Sequence, residues 1–96
     1  MVVIVTEGVP ERLRGFLSRW LLEVRAGVFI GNYNVKVREK LWTTVRDNYG
    51  EGNVVMAWDA KEDNGFDFLT VGKNSRNKVN FDGINLVSYL PRMNEG

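Results

Sequence analysis

The sequence predicts an α+β sandwich, with two helices on one face of a small sheet. Three observations predict it. Short apolar runs rich in β-branched residues recur along the chain, two longer stretches between them carry helical apolar spacing, and an Asn64-Gly65 turn separates two late runs in the manner of a hairpin.

Residues 1–6 form the first apolar run and read as a buried strand, ended by Thr6, Glu7 and Gly8. Pro10 suits the first helical position, where its missing N–H would have no intrahelical partner. Behind it Leu13, Phe16, Leu17, Trp20, Leu21 and Val24 follow the i, i+3, i+4, i+7, i+8, i+11 spacing, so the first helix is predicted to run to about Val24 with that stripe buried. Ala26 and Gly27 stop it. Residues 28–30 resume an extended run, and Gly31 and Asn32 break it. A second helix is predicted over 35–48, with Val37, Leu41, Val45 and Trp42 inward and Tyr49 and Gly50 at its close. Residues 54–58 are a further strand, 59–65 a polar turn, 66–71 an alternating hairpin partner, and 84–90 a last strand before Pro91.

Charge placement carries the first functional signal. Arg12 and Arg14 lie off the apolar stripe in the first turns of a helix, where the free N–H groups and the dipole ordinarily select Asp or Glu. A right-handed crossover returning in parallel would place 1–6 and 28–30 with their ends at one edge. Both helix starts would then share that edge, with Arg12, Arg14, Lys36 and Arg38 beside two sets of free N–H groups suited to phosphate oxygens. The net charge of +1 hides the asymmetry: residues 1–46 hold eight Lys or Arg against four acids, the remainder five against eight.

Composition removes other functions. Ninety-six residues make one domain that buries about 60 to 65% of its unfolded surface, so a second chain would help stabilise it. The absence of Cys and His excludes disulfides, thiolate zinc sites, triad hydrolases and imidazole-based RNA cleavage. Carboxylates remain as metal ligands and select magnesium, manganese or calcium. The run Val2 to Val5 is too short for a membrane span or signal h-region, and a cytoplasmic location with no membrane partner is expected.

The run VVIVTEGVPERLRGFLSRWLLEVRAGVFIG, followed by KVREKLW, EGNVVMAW, GFDF and LVSYLP, resembles the second CRISPR-associated protein of the adaptation machinery in its subtype I-E form, over nearly the whole chain. The resemblance implies a single ferredoxin-like domain over 1–96, with a mostly antiparallel sheet and a hairpin between the helices, where the residues themselves show one clear strand, 28–30. It implies a symmetric homodimer seated between two dimers of the CRISPR integrase. There the protein would hold the duplex body of a captured DNA fragment during spacer acquisition in antiviral defence. Duplex-contacting residues of the family match Arg12, Arg14, Lys36, Arg38 and Arg76. Ser75 stands where some relatives carry a second arginine, a role open to Lys73 or Lys78. Leu86, Val87, Ser88, Tyr89 and Leu90 are the expected integrase contacts, and Phe66, Phe68, Leu69, Val71, Val87, Tyr89 and Leu90 supply more apolar surface than one sheet face needs.

Glu7 stands where many relatives end the first strand in an aspartate that holds a metal for phosphodiester cleavage. An endonuclease reading would use Glu7 as catalytic and metal-binding carboxylate with magnesium or manganese; the favoured reading is that Glu7 caps the neighbouring helix start and the chain is a scaffold. Asp59, ending another strand, is the other acid considered. A third reading, an RNA-binding module, rests on Gly65, Phe66 and Phe68, but Asp67 replaces a small residue of that signature and the first strand lacks its aromatic. Trp20 and Trp58 read as core rather than as base-stacking platforms.

Overall fold

A computed structural model describes residues 1–60 and 65–73. Its elements are β1 (Val2–Glu7), α1 (Glu11–Trp20), β2 (Leu22–Arg25), β3 (Val28–Gly31), α2 (Val35–Asn48), β4 (Asn53–Asp59) and β5 (Phe66–Val71). The strand order is β2-β3-β1-β4-β5 and every neighbouring pair is antiparallel. This is the α+β, ferredoxin-like arrangement of two interleaved strand–helix–strand units, with β5 added at one side.

Alternation along β1 divides the two faces. Val2 and Ile4 are buried, and Ile4 stands in register with Phe29 of β3 and Met56 of β4. Leu13 and Leu17 of α1 and Leu41 and Val45 of α2 complete the cluster, so both helices cover this one face. The other face stays open. Leu22, Ile30, Val3, Ala57 and Phe68 form one row across it, and Val28, Val5, Val55 and Thr70 the next.

The second helix runs over the predicted residues. Asn34 supplies its cap, the side-chain oxygen accepting from the Val37 N–H at 2.9 Å. The first helix is shorter than expected. It stops at Trp20, and Leu21 turns extended with its N–H still donating to the Leu17 carbonyl. Residues from Leu22 then form β2, which pairs with β3 through the two-residue Ala26-Gly27 turn. Pairing with β3 overrides the helical spacing that continues to Val24, which lies exposed on the strand. Gly27 makes the turn possible: its φ is +80°, and a Cβ there would meet the Thr6 carbonyl oxygen at 2.8 Å.

The extra strand reverses an expectation. The parallel return is supplied by β2, while residues 28–30 run antiparallel to β1. Trp20, expected in the core, is 46% exposed; the Tyr33 hydroxyl donates to its carbonyl and the Tyr33 ring meets it edge-on. Phe66 is likewise exposed, whereas Phe68 on the open face is only 5% exposed. The expected strand 84–90 lies outside the described residues, as do Ser75, Arg76 and Lys78. No described helix is long and apolar enough to cross a membrane.

Candidate nucleic-acid interface

The four cations of the helix starts form two separate stations. Helix α1 begins where β1 ends, and Arg12 and Arg14 occupy its second and fourth positions. Helix α2 follows Gly31, whose register partner is Val2 at the opposite end of β1, and carries Lys36 and Arg38 at the same two positions. A six-residue strand spans about 17 Å between its first and last Cα atoms, so the expected single cationic edge does not form. The cause is β2, which turns β3 around.

At the first station Arg12 is exposed and makes no ion pair among the described residues. Arg14 is half-buried, and its Nη2 donates to Glu23 Oε2 of β2 at 3.0 Å. The same oxygen accepts the Gly27 N–H at 2.9 Å. The Gly27 N–H and then the Arg14 guanidinium hold the Glu23 carboxyl below its ordinary range, and the bond that Arg14 donates to Glu23 raises the arginine above its own. Arg14 Nε is buried without a hydrogen-bond partner. Thr6, Gly8, Val9, Ala26 and Gly27 line a pocket of about 230 Å³ beside this arginine.

At the second station Lys36 is exposed and Arg38 lies over the Trp58 ring, 4.0 Å from its centroid. Trp58 is therefore neither fully core nor a free stacking platform. A groove of about 390 Å³ runs beside it between α2 and the β4–β5 hairpin, with Trp42, Arg46, Met56 and Asp67 among its lining residues.

Glu7 does not cap α1. The N-cap is Pro10 and makes no side-chain hydrogen bond. Alternation from Ile4 turns Glu7 toward the open face of the sheet, away from the helices, where its Oε1 accepts from Asn53 Nδ2 at 3.5 Å. Asp59 lies at the other end of the sheet, beside the N-terminal ammonium at 3.6 Å. Among the described residues no group of three or more His, Cys, Asp or Glu side chains could hold a cation. The RNA-reading aromatics are also divided, Phe68 being buried and Phe66 exposed.

The family model of a CRISPR-associated protein (Cas_Cas2CT1978) matches residues 1–86. The chain belongs to this Cas2-type family. Its role is accordingly CRISPR-associated, and the matched span contains all five basic residues singled out from the sequence. Two further residues of this Cas2-type chain escaped sequence reasoning. Glu23 fell within a predicted helix, and only a strand at 22–25 could have brought it across to Arg14. Trp58 read as core because its apolar surroundings carry no sign of the arginine that stacks on it.

Proposed function

We propose that this Cas2-type chain is a non-catalytic scaffold of the I-E-type spacer-acquisition complex, holding duplex DNA through its phosphates while the CRISPR integrase joins the strands. The observation that carries this reading is the pair Arg12 and Lys36. Both are exposed cations at the second position of a helix, neither has an ion pair among the described residues, and each opposes the dipole of its own helix. Such a placement costs stability in the free chain and is offset when phosphate oxygens meet the helix start. Arg14 and Arg38 stand behind them, with Arg76 contributing from beyond the described residues. Leu86, Val87, Ser88, Tyr89 and Leu90, also beyond them, form the integrase contact.

A second copy covers the open sheet face. Val3, Val5, Val28, Ile30, Val55 and Ala57 fall together there by register; Val5 and Val55 are 43% and 38% exposed. An apolar centre of this kind can pair with its own copy across a two-fold axis. Glu7 lies at the margin of the same face, so an endonuclease would need the partner's carboxylate to complete a magnesium or manganese site.

The test is integration of a short duplex by the cognate integrase, with duplex affinity measured in parallel. Arg12→Ala combined with Lys36→Ala should lose both, while Glu7→Ala keeps both. Abolition of integration by a folded, dimeric Glu7→Ala would replace the scaffold reading with metal-dependent chemistry.

A further inference from the structure

Two donors from different elements converge on one oxygen beside α1. The guanidinium of Arg14 comes from the helix, the Gly27 N–H from the β2–β3 turn, and both meet Glu23 Oε2, at 3.0 and 2.9 Å. A backbone N–H and a guanidinium N–H converging on a single oxygen are what a phosphate oxygen requires. Here the chain's own carboxylate fills that place. The pair is not sealed: Arg14 and Glu23 are 38% and 26% exposed, and the pocket of Thr6, Gly8, Val9, Ala26 and Gly27 lies against the arginine.

We propose that Glu23 is a built-in competitor occupying a phosphate-oxygen site made by Arg14 and the Gly27 N–H, and that Arg14 grips DNA only when a backbone phosphate displaces the Glu23 carboxylate. This rests on the DNA-holding reading above. While Glu23 is in place, the Arg14–Glu23 pair carries no net charge and releases no counterion on binding. At this helix start Arg12, two residues earlier and without an ion pair among the described residues, meets the duplex before Arg14, which follows only when a phosphate is held close enough to exchange. The arrangement favours a rigid backbone whose neighbouring phosphates reach both arginines over a dilute or isolated anion. Gln at position 23 would keep an acceptor for both donors while removing the competing charge.

Anisotropy of a short labelled duplex, titrated with the full chain over a range of salt, tests the assignment through three variants. Glu23→Gln should bind more tightly than wild type and steepen the log-affinity against log-salt slope by about 0.9 per subunit, a gain that shrinks about 3.5-fold between about 50 and about 200 mM salt. Removing the whole pair, Arg14→Ala with Glu23→Gln, should leave the salt slope close to that of wild type, because the neutral pair releases no counterion, and should weaken affinity less than Arg12→Ala does. Arg12→Ala should weaken binding. Thermal melts establish that each variant is folded, and the charge-neutral double variant keeps the test decisive should Glu23→Gln be unstable. If Arg12→Ala weakens binding while the double variant weakens it equally, or Glu23→Gln gives no gain, Arg14 already grips phosphate beside Glu23 and the competitor is refuted. If neither wild type nor Glu23→Gln binds duplex at any salt, the DNA-holding reading falls as well.

Discussion

Lys36→Glu should stabilise the free protein and, on the scaffold reading, weaken binding to duplex DNA. The start of α2 has one favourable feature, the Asn34 cap on the Val37 N–H, and no acidic residue in its first turn. Lys36 sits at the second helical position, exposed, with its charge opposed to the positive end of the helix. A charge in the first turn interacts with the dipole by about 0.3 to 1 kcal/mol, so replacing an unfavourable cation by a favourable anion changes stability by about twice that, centred near 1 kcal/mol. For a domain of this size 1 kcal/mol raises Tm by about 4 to 8 °C. Lys36→Gln removes the repulsion without adding the attraction and should give about half the gain. Urea or thermal denaturation of the three proteins at low ionic strength measures the series, and repetition near 1 M salt should erase most of it, because the Debye length there is about 3 Å. Duplex affinity should fall in the opposite order. A Lys36→Glu protein no more stable than wild type at low salt would refute the argument. So would a gain that persists undiminished at high salt, since it would have to arise from packing.

Gly52→Ala should destabilise by about 1 to 3 kcal/mol, because an added Cβ would lie 2.5 Å from the Glu7 carbonyl oxygen and 2.7 Å from backbone atoms of Gly8, none of which can swing aside; a denaturation midpoint equal to wild type would contradict it. Val5→Asp, placed at the centre of the open sheet face, should give a folded monomer in sedimentation, and a retained dimer would move the interface elsewhere. Glu23 has a folded-state pKa below its ordinary 4.5, so its stabilising contribution is complete above that value and is lost as pH falls through the lower one. The stability advantage of wild type over Glu23→Gln should therefore hold at neutral pH and close on acidification below about pH 4.5, which urea titrations at stepped pH would read.

Legibility in the sequence follows which force decides each element. Helix α2 reads from the sequence over 35–48, since its apolar positions Val37, Leu41 and Val45 and its close at Tyr49 and Gly50 agree with the packing that forms, whereas the Asn34 cap appears only in the structure. The paired strands β4 and β5 read equally from the sequence, because local alternation marks both; turn residues 61–64 lie outside the described residues. Residues 21–25 do not. Their apolar spacing suits a helix and a strand alike, and the choice is made by β3, with which Leu22 and Glu23 pair opposite Ile30 and Phe29. A helix carried through 22–25 predicts one cationic edge where there are two, hides the Arg14–Glu23 pair, and puts Trp20 in the core, whereas its ring meets Phe16 and Tyr33 at the surface. Placing Glu7 needed the parity of β1, since a side chain on the open face cannot cap a helix on the covered one.

The two stations are less independent than their separation suggests. Each strand–helix–strand unit repeats one device: a cation at the second helical position without an ion pair among the described residues, and an arginine at the fourth position tied to a strand of its own unit. Arg14 is tied to Glu23 on β2, and Arg38 to Trp58 on β4. The ties differ in kind, and that difference has a consequence for binding. A stacked arginine keeps its full charge and its outward N–H donors, so Arg38 is preorganised for a phosphate, whereas Arg14 is neutralised until Glu23 yields. The two ends of β1, near which the two stations begin, are about 17 Å apart, or half a turn of B-DNA taking one turn as about 34 Å. A duplex lying along that direction would offer one backbone to the first station and, half a turn on, the other backbone to the second. On the scaffold reading the Lys36–Arg38 station therefore binds first and sets the register, and the Arg12–Arg14 station engages only a duplex long enough to reach it. Affinity should then rise in a step, rather than smoothly, as duplex length passes the half-turn separating the two, and Trp58→Leu should weaken even the shorter duplexes by releasing Arg38.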